Sequence, residues 1–175
     1  MKLKKLKIRD AYIIQTKPHG DDRGFFQRLY CNKLLKDVLK NKIVQINHSF
    51  SKTKGTTRGL HYQLAPFSED KILKCVKGKL VNVIVDLRKK SKTYLKIEKI
   101  VLNSKKNNMT LVPRGCANGI QTLENNTELV YFVTNHYKPK FERGCRYDDP
   151  ILKIKLPLKI TNISKKDTKW PNLKK

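Results

Sequence analysis

The sequence predicts a mainly β domain, an antiparallel sandwich or barrel. Short β-rich runs separated by Gly, Pro, Asn or Lys-rich turns fill most of the 175 residues. The clearest run, residues 79–88, alternates with period two, placing Val81, Val83 and Val85 on one face and Asn82 on the other. Only one segment has helical periodicity. The length fits a single domain, residues 1–175, large enough to bury a core.

The elements are expected in a simple order. A first strand over residues 8–16 ends at the turn signal of residues 18–22. Residues 31–43 carry leucines and a valine at helical spacing, which predicts a short N-terminal amphipathic helix. The strands that follow are expected over residues 43–50, 57–64, 71–77, 79–88, 94–102, 109–112, 119–123 and 128–135. Residues 139–157 are loop-rich, and residues 160–173 form a C-terminal tail of loop and short helix capped by Ser164.

The chain is strongly basic, with 40 Lys and Arg residues, 14 Asp and Glu residues and a formal charge of +26. Such a charge often indicates nucleic acid or an anionic membrane. Here the lysines are spread along the whole chain, and no zinc-finger, helix-turn-helix or aromatic RNA-reading pattern accompanies them. We therefore expect neither a nucleic-acid nor a membrane partner, and a field that favours a small anionic substrate.

Cysteine spacing and the N-terminus bear on the compartment. The four cysteines are far apart and form no CxxC pair, so reduced thiols are the simplest expectation. The basic N-terminus lacks the apolar region of a secretion signal, and no run of eighteen apolar residues occurs. These features predict a cytoplasmic protein.

The segment from Arg58 to Gln63 combines a cation, an imidazole, a phenol and an amide within six residues. On an extended strand, Gly59, His61 and Gln63 share one face. An imidazole on a cavity-facing side could take or give a proton near neutral pH, whereas a lone strand histidine is more often a structural residue. A metal site is not expected, because the four histidines form no HxH pair and offer few ligands.

Eight segments, spread over nearly the whole chain, carry a family resemblance. In order they are Asp22-Arg23-Gly24-Phe25-Phe26, Gln45-Ile46-Asn47-His48-Ser49, Arg58-Gly59-Leu60-His61-Tyr62-Gln63, Val85-Asp86-Leu87-Arg88, Val112-Pro113-Arg114-Gly115, Tyr131, Asp148-Asp149-Pro150 and Ser164-Lys165-Lys166-Asp167. Together they resemble the dTDP-4-dehydrorhamnose 3,5-epimerase family. The resemblance implies an antiparallel jelly-roll (cupin) barrel, no metal or organic cofactor, and a homodimer whose N-terminal arm, carrying Arg23 and Phe26, completes the neighbour's site.

The resemblance also implies roles for individual residues. His61 is the base, with Asp167 bonded to its other ring nitrogen. Tyr131 returns a proton from the opposite face, and Lys71 lies near the C4 oxygen, where an ammonium offsets negative charge. The substrate-binding residues implied are Arg23, Phe26, Gln45, Asn47, Arg58, Asn118, Tyr137 and Glu142. The two arginines match diphosphate contacts, since their planar forks engage phosphate oxygens in pairs.

Three positions depart from the family pattern. Arg28 replaces a common Glu, Asn118 replaces a His but could still donate a hydrogen bond, and Asn82 stands where many relatives have Asp. The expected function is epimerisation of a dTDP-4-keto-6-deoxyhexose at C3, C5 or both, through an enolate. The departures leave two alternatives open: a C3-only epimerase or ketoisomerase acting on another nucleotide sugar, and a non-catalytic nucleotide-sugar-binding cupin.

Overall fold

The computed structural model describes residues 1–174, which contain fourteen strands and two short α-helices. The strands are β1 (Lys2–Lys5), β2 (Tyr12–Gln15), β3 (His19–Asp21), β4 (Gly24–Phe26), β5 (Gln45–Ser51), β6 (Thr56–Gln63), β7 (Lys71–Lys77), β8 (Lys79–Asp86), β9 (Ile97–Asn103), β10 (Asn108–Val112), β11 (Cys116–Thr122), β12 (Thr127–Val133), β13 (Glu142–Gly144) and β14 (Asn162–Ile163). The helices are α1 (Asn32–Leu35) and α2 (Lys165–Thr168), and 3-10 turns lie at Ser104–Lys106 and Pro139–Phe141. The fold is mainly β.

Two large sheets make up the domain. Sheet I has the strand order β1-β2-β10-β7-β12-β5, and sheet II has the order β13-β6-β11-β8-β9 with β14 added in parallel beside β6. Strands β3 and β4 form a separate hairpin. Within residues 1–174 no strand pairing joins sheet I to sheet II, so the expected closed barrel is wrong and the arrangement is a sandwich.

The main core lies between the sheets. On sheet I, Leu73 and Cys75 point inward, where they meet Ile84 and Leu102 of sheet II. The alternate residue Ile72 points to the outer face of sheet I and packs in a second cluster with residues of the α1 region. Strand β7 is therefore apolar on both faces, which explains why its sequence lacks a clean alternation.

The N-terminal third departs most from expectation. The helix predicted over residues 31–43 is only α1, four residues long, because its N-cap residue Cys31 makes no side-chain capping bond and no acidic residue occupies the first turn. The apolar residues that suggested a helix nevertheless pack on sheet I, with Leu35 and Leu39 buried. The turn signal of residues 18–22 belongs to the β3–β4 hairpin.

The long strands of the centre follow the predicted runs to within a few residues, from β5 to β12. The tail contains β14 and α2, and Ser164 caps α2 by accepting a 3.1 Å hydrogen bond from the backbone N–H of Asp167. Among residues 1–174, no helix has the length and apolar character needed to span a membrane.

Candidate active site

Strand β6 carries His61 at the middle of sheet II. It pairs with β11 on one side and β13 on the other, so His61 lies opposite Asn118 and Gly144. Gly59, two residues earlier, has φ +99°, and a Cβ there would lie 2.7 Å from the carbonyl oxygen of Asn118. Glycine is thus required for the close approach of β6 to β11. Alternation on β6 directs His61 and Gln63 toward the same inner side.

His61 is paired with a buried carboxylate. Its Nε2 lies 2.5 Å from Oδ1 of Asp167, and Oδ2 of Asp167 accepts a 3.1 Å hydrogen bond from the backbone N–H of Gly59. Burial opposes ionisation of Asp167, but the hydrogen bonds from His61 and Gly59 outweigh it and lower the pKa of this carboxyl. An ionised Asp167 requires the hydrogen on Nε2, which leaves Nδ1 of His61 with a free lone pair.

Two adjacent cavities lie between the sheets beside this pair. The first has a volume of about 420 Å³ and is lined by His61, Lys71, Tyr131 and Asp167, the four residues assigned to catalysis from the sequence. The second, of about 260 Å³, shares His61, Lys71 and Tyr131 with the first. The four residues come from β6, β7, β12 and α2, so both sheets and the tail contribute to one site.

The Tyr131 phenol and the Lys71 ammonium are partly buried and lie near the Glu69 carboxylate. Burial raises the pKa of the Tyr131 phenol, and the negative charge of Glu69 adds to the rise. Lys71 Nζ lies 3.1 Å from Oε1 of Glu69, an ion pair with little solvent exposure. Burial raises the pKa of Glu69 itself, and the Lys71 ammonium offsets part of that rise. Tyr131 therefore keeps its proton at neutral pH and remains able to donate it.

A second cluster of polar side chains is centred on Glu142 of β13. Its Oε2 accepts hydrogen bonds from the Tyr137 hydroxyl at 2.7 Å and from Lys166 Nζ at 2.5 Å. Burial opposes ionisation of Glu142, but the bonds from Lys166 and Tyr137 outweigh it and lower its pKa. The hydrogen bond that Tyr137 donates to Glu142 raises the pKa of the Tyr137 phenol. This group fastens α2, and with it Asp167, to the wall of the second cavity.

The remaining predicted binding residues divide between the cavities and the surface. Arg58 and Asn118 line the first cavity, while Gln45, Asn47, Tyr137 and Glu142 line the second. The Arg58 guanidinium donates to the carbonyl oxygen of Phe50 at 3.0 Å, and Gln45 Nε2 donates to Asn47 Oδ1 at 2.8 Å.

The arm residues lie elsewhere. Arg23 and Phe26 belong to the exposed β3–β4 hairpin, which lines neither cavity of its own chain. Arg23 forms a 2.6 Å ion pair with Asp21. Arg28 lines a separate depression of about 170 Å³ together with Phe26.

Asn118 and Asn82 form a buried amide pair. Nδ2 of Asn118 donates to Oδ1 of Asn82 and, at 3.3 Å, to the carbonyl oxygen of Val83. Nδ2 of Asn82 donates to the Thr110 hydroxyl at 2.7 Å, across the sandwich on sheet I. The sequence suggested that Asn118 donates toward a ligand, whereas in the structure its two amide hydrogens are directed at protein acceptors.

Sequence reasoning missed several residues of the site. Lys166 lines the first cavity and lies inside the Ser164–Asp167 motif, so the motif itself carried a signal for it. For Glu69, the only signal in the sequence is its position two residues before Lys71. Trp170 lies edge-on to His61, with ring centroids 6.2 Å apart, and Lys166 Nζ lies 5.8 Å from its ring centroid. No pattern in the sequence indicates that contact.

Gly144 makes the Trp170 contact possible. A Cβ at Gly144 would lie 2.4 Å from Nε1 of Trp170, so only glycine leaves room for the indole beside His61. No acceptor within residues 1–174 bonds to that buried Nε1. The His61 ring is therefore enclosed by the Asp167 carboxylate and an indole edge, which limits the orientations that it can take.

Among residues 1–174, no group of three or more His, Cys, Asp or Glu side chains is arranged to hold a metal ion. Groups that can take a proton, give one and stabilise negative charge meet inside a two-sheet β fold, which defines an isomerase that works by proton transfer. Residues 5–175 match the sequence model of dTDP-4-dehydrorhamnose 3,5-epimerase. The chain belongs to this family.

Individual relatives agree with the family match. The dTDP-4-dehydrorhamnose 3,5-epimerase of Shigella flexneri is 37% identical over 169 residues, covering 95% of this chain and 93% of the relative. The enzyme of that name from Bacillus anthracis, solved with TDP and PPi bound, superposes with a TM-score of 0.94 at 35% identity, covering 98% of this chain and 99% of that one. The dTDP-6-deoxy-D-glucose-3,5-epimerase of Legionella pneumophila, solved with dTDP-4-keto-L-rhamnose, gives 0.90 at 31% identity, covering 97% and 90%.

Proposed function

We propose that the protein epimerises a dTDP-4-keto-6-deoxyhexose at C3, C5 or both. The observation that carries the proposal is the His61–Asp167 pair opening onto the same cavity as Tyr131 and Lys71. The relatives bind TDP or dTDP-4-keto-L-rhamnose, which supports a dTDP-sugar substrate.

The reaction follows from the four side chains. Nδ1 of His61 takes a proton from a carbon next to the C4 ketone, and the C–H electron pair moves to form an enolate at the C4 oxygen. The Lys71 ammonium stabilises that oxygen, and the Asp167 carboxylate stabilises the imidazolium. The Tyr131 hydroxyl then gives its proton to the same carbon from the opposite face, which inverts it. Proton exchange with solvent resets both groups.

The rest of the site binds the nucleotide. Arg58 in the first cavity suits the diphosphate, because a guanidinium can engage two phosphate oxygens. Gln45, Asn47, Tyr137 and Glu142 line the second cavity and provide the amides, the phenol and the carboxylate for the other polar groups of the substrate. No described residue has to hold a metal for these steps.

Solvent deuterium tests the mechanism. In D₂O the wild-type protein should introduce deuterium at C3, C5 or both, as read by NMR of the product, and His61→Asn should lower the rate by at least about a hundredfold. Tyr131→Phe should still exchange the proton that His61 removes but should form little inverted product. Incorporation of solvent deuterium into the sugar (wash-in) at the wild-type rate in His61→Asn would show that the base is a different residue.

The same spectra separate the alternatives. Deuterium at C3 alone indicates a C3-only epimerase, and tight binding of a dTDP-sugar without wash-in indicates a non-catalytic binding protein. A product whose ketone has moved from C4 indicates a ketoisomerase. Each result contradicts double inversion in a distinct way.

The chain forms a homodimer in which the β3–β4 arm of one subunit reaches the site of the other. The 66% exposure of Phe26 supports this, and Arg23 lines neither of the two cavities beside His61 in its own chain. Further exposed apolar side chains lie on β5, at Ile46 and Phe50. Such a patch on an edge strand suits a partner surface.

Subunit complementation tests the arm. Arg23→Ala and His61→Ala should each be nearly inactive as homodimers. If the arm acts on the neighbour, co-expression should restore activity, because a mixed dimer then contains one site with both native residues. If the arm acts within its own chain, co-expression should restore nothing, provided that the mixed dimer is isolated by two affinity tags.

The proposal also covers the domain organisation, the connection of the strands and the cellular compartment. Residues 1–175 act as a single domain, and the strand order of the two sheets supports a jelly-roll connection. The protein works in the cytoplasm, which the free thiols support.

Burial raises the pKa of the Cys75 thiol to about 11 and the pKa values of the Cys116 and Cys145 thiols to about 12, so these thiols are protonated and unreactive.

A further inference from the structure

We infer that Asn118 presents its carbonyl oxygen to the first cavity and accepts a hydrogen bond from a ring hydroxyl of the sugar, next to the carbon that His61 deprotonates. This inference rests on the proposed function and adds a specificity determinant to it. It also reverses the polarity expected from the sequence, in which Asn118 was a donor.

The backbone decides which end of the Asn118 amide faces the cavity. One of the two terminal atoms of the Asn118 amide lies 3.3 Å from the carbonyl oxygen of Val83, and a carbonyl oxygen can only accept a hydrogen bond. The amide atom on the Val83 side must therefore be the nitrogen. Asn82 Oδ1 takes its other hydrogen. No donor within residues 1–174 bonds to Asn118 Oδ1, although the residue lines the cavity.

Asn82 acts through Asn118 and is a positioning residue. It is fully buried on β8, and its Nδ2 donates to the Thr110 hydroxyl of sheet I at 2.7 Å. The Thr110 hydroxyl could accept or donate, so it would tolerate either orientation of Asn82. With the nitrogen of Asn118 fixed by Val83, Asn82 has to turn its oxygen toward Asn118, and the chain of bonds has one consistent direction.

The position of Asn118 identifies the group that it meets. Asn118 and His61 are directly opposite each other on neighbouring strands, which places their Cβ atoms about 5 Å apart. The oxygen of Asn118 therefore faces the reacting part of the sugar. Phosphate oxygens are acceptors and would be repelled there, whereas the cations Arg58 and Lys166 in the same cavity suit them. A 4-keto-6-deoxyhexose has its hydroxyl donors on C2 and C3, and of these two carbons C3 is bonded to the ketone carbon.

Binding measurements with unreactive probes test this directly. Titration calorimetry gives the Kd of dTDP, dTDP-glucose, dTDP-2-deoxyglucose and dTDP-3-deoxyglucose. The wild-type protein should bind one of the deoxy probes about tenfold more weakly than dTDP-glucose, because that probe leaves a buried acceptor unpaired. Asn118→Leu should reduce this discrimination to about one while its Kd for dTDP alone stays close to the wild-type value.

Two variants of Asn82 test the positioning role. Asn82→Leu removes the acceptor that holds the Asn118 nitrogen and should also reduce the discrimination. Asn82→Asp can still accept from Asn118 and from the Thr110 hydroxyl, so it should keep the discrimination. If Asn82→Leu does not fold, the inference is still tested by comparing Asn82→Asp and Asn118→Leu with the wild-type protein. Only Asn118→Leu should lose the preference for dTDP-glucose over the deoxy probe.

Several results would overturn the inference. Equal binding of all three sugar probes by the wild-type protein would do so, as would wild-type discrimination in Asn118→Leu. A parallel loss of dTDP and dTDP-glucose affinity in Asn118→Leu would assign Asn118 to the nucleotide instead. These outcomes leave deuterium wash-in by the wild-type protein intact, whereas failure of the proposed function removes wash-in or abolishes binding of both dTDP and dTDP-glucose.

Discussion

Asp167 sets the chemistry of His61 through one short contact. The carboxylate is 3% exposed and is held by the backbone N–H of Gly59 as well as by the ring, so it cannot turn away. It fixes the hydrogen on Nε2 and leaves Nδ1 of His61 unprotonated. The helix that supplies it is only four residues long, and its position depends on the Ser164 cap and on Lys166, which bonds to Glu142.

Replacing Asp167 by Asn tests this dependence. The amide can still accept from Nε2 but cannot stabilise an imidazolium by charge, so we expect kcat to fall by about a hundredfold with little change in KM. Steady-state kinetics over several pH values measures both. The matched control is Asp148→Asn, an exposed carboxylate paired with Arg146, which should keep wild-type kinetics. An unchanged kcat in Asp167→Asn would contradict the pairing.

At the scale of single residues, the sequence predicts which side chains share the cavity but not how they are oriented. His61, Tyr131, Lys71 and Asp167 match a family pattern and line one cavity. The direction of the Asn118 amide depends instead on a backbone carbonyl of the adjacent strand, which no side-chain pattern records. Local sequence specifies which groups are available, and strand pairing specifies where they point.

Strand β13 has a glycine, without a side chain, opposite His61. Gly144 lies opposite His61, and the space of its missing Cβ is filled by the Trp170 indole. We expect Gly144→Ala to displace the indole, to cost about 1–3 kcal/mol of unfolding free energy and to lower kcat. Denaturant unfolding and kinetics measure the two effects. Lys89→Ala, at an exposed position in the loop after β8, is the control, and equal effects of the two substitutions would argue against a specific role for the indole.

The turn after β8 depends on a buried carboxylate. Asp86 is fully buried and accepts hydrogen bonds from Arg88, Ser91 and Thr93, with the two hydroxyl donors at 2.7 and 2.6 Å. Burial alone would raise its pKa, but hydrogen bonds from Arg88, Thr93 and Ser91 hold the pKa of Asp86 far below its ordinary value. A lowered pKa in the folded state stabilises the protein at every pH above the unfolded value, about 3.9.

This stabilisation should decline as the pH falls below about 4, because the unfolded chain then takes up protons that Asp86 resists in the folded state. Asp86→Asn should lower the unfolding free energy by about 3 kcal/mol at pH 7. The difference from the wild-type protein should shrink at pH 3, as measured by urea unfolding at both values. Asp37→Asn, at an exposed site, should show neither effect, and a difference that grows toward acid would refute the account.

Elements are predicted unevenly from the sequence for a physical reason. The strands from β5 to β12 have enough β-branched and apolar residues to be recognised locally, and their ends agree within a few residues. The helix expected over residues 31–43 has the right apolar spacing, but its residues gain their burial by packing on sheet I in irregular turns. Sheet closure depends on pairing between distant strands, so a barrel and a sandwich could not be distinguished from the alternation alone.

The whole molecule carries a net charge of +26 on 175 residues, and most of its lysines are exposed. Self-repulsion at this density destabilises the folded state at low ionic strength. We expect the Tm to rise by several degrees between 10 mM and 300 mM NaCl, since the Debye length falls from about 30 Å to well below 10 Å. Differential scanning fluorimetry in NaCl and in KCl measures this. A Tm that falls with either salt would mean that attractive ion pairs dominate.

Trp170 is the single tryptophan of the chain, and it lies against His61 and under Lys166. Light emitted on excitation near 295 nm therefore comes almost wholly from the immediate neighbourhood of His61. Protonation of the neighbouring imidazole quenches an indole, and a bound sugar nucleotide changes its hydration. The molecule thus contains its own optical reporter, through which changes beside His61 can be followed without a label.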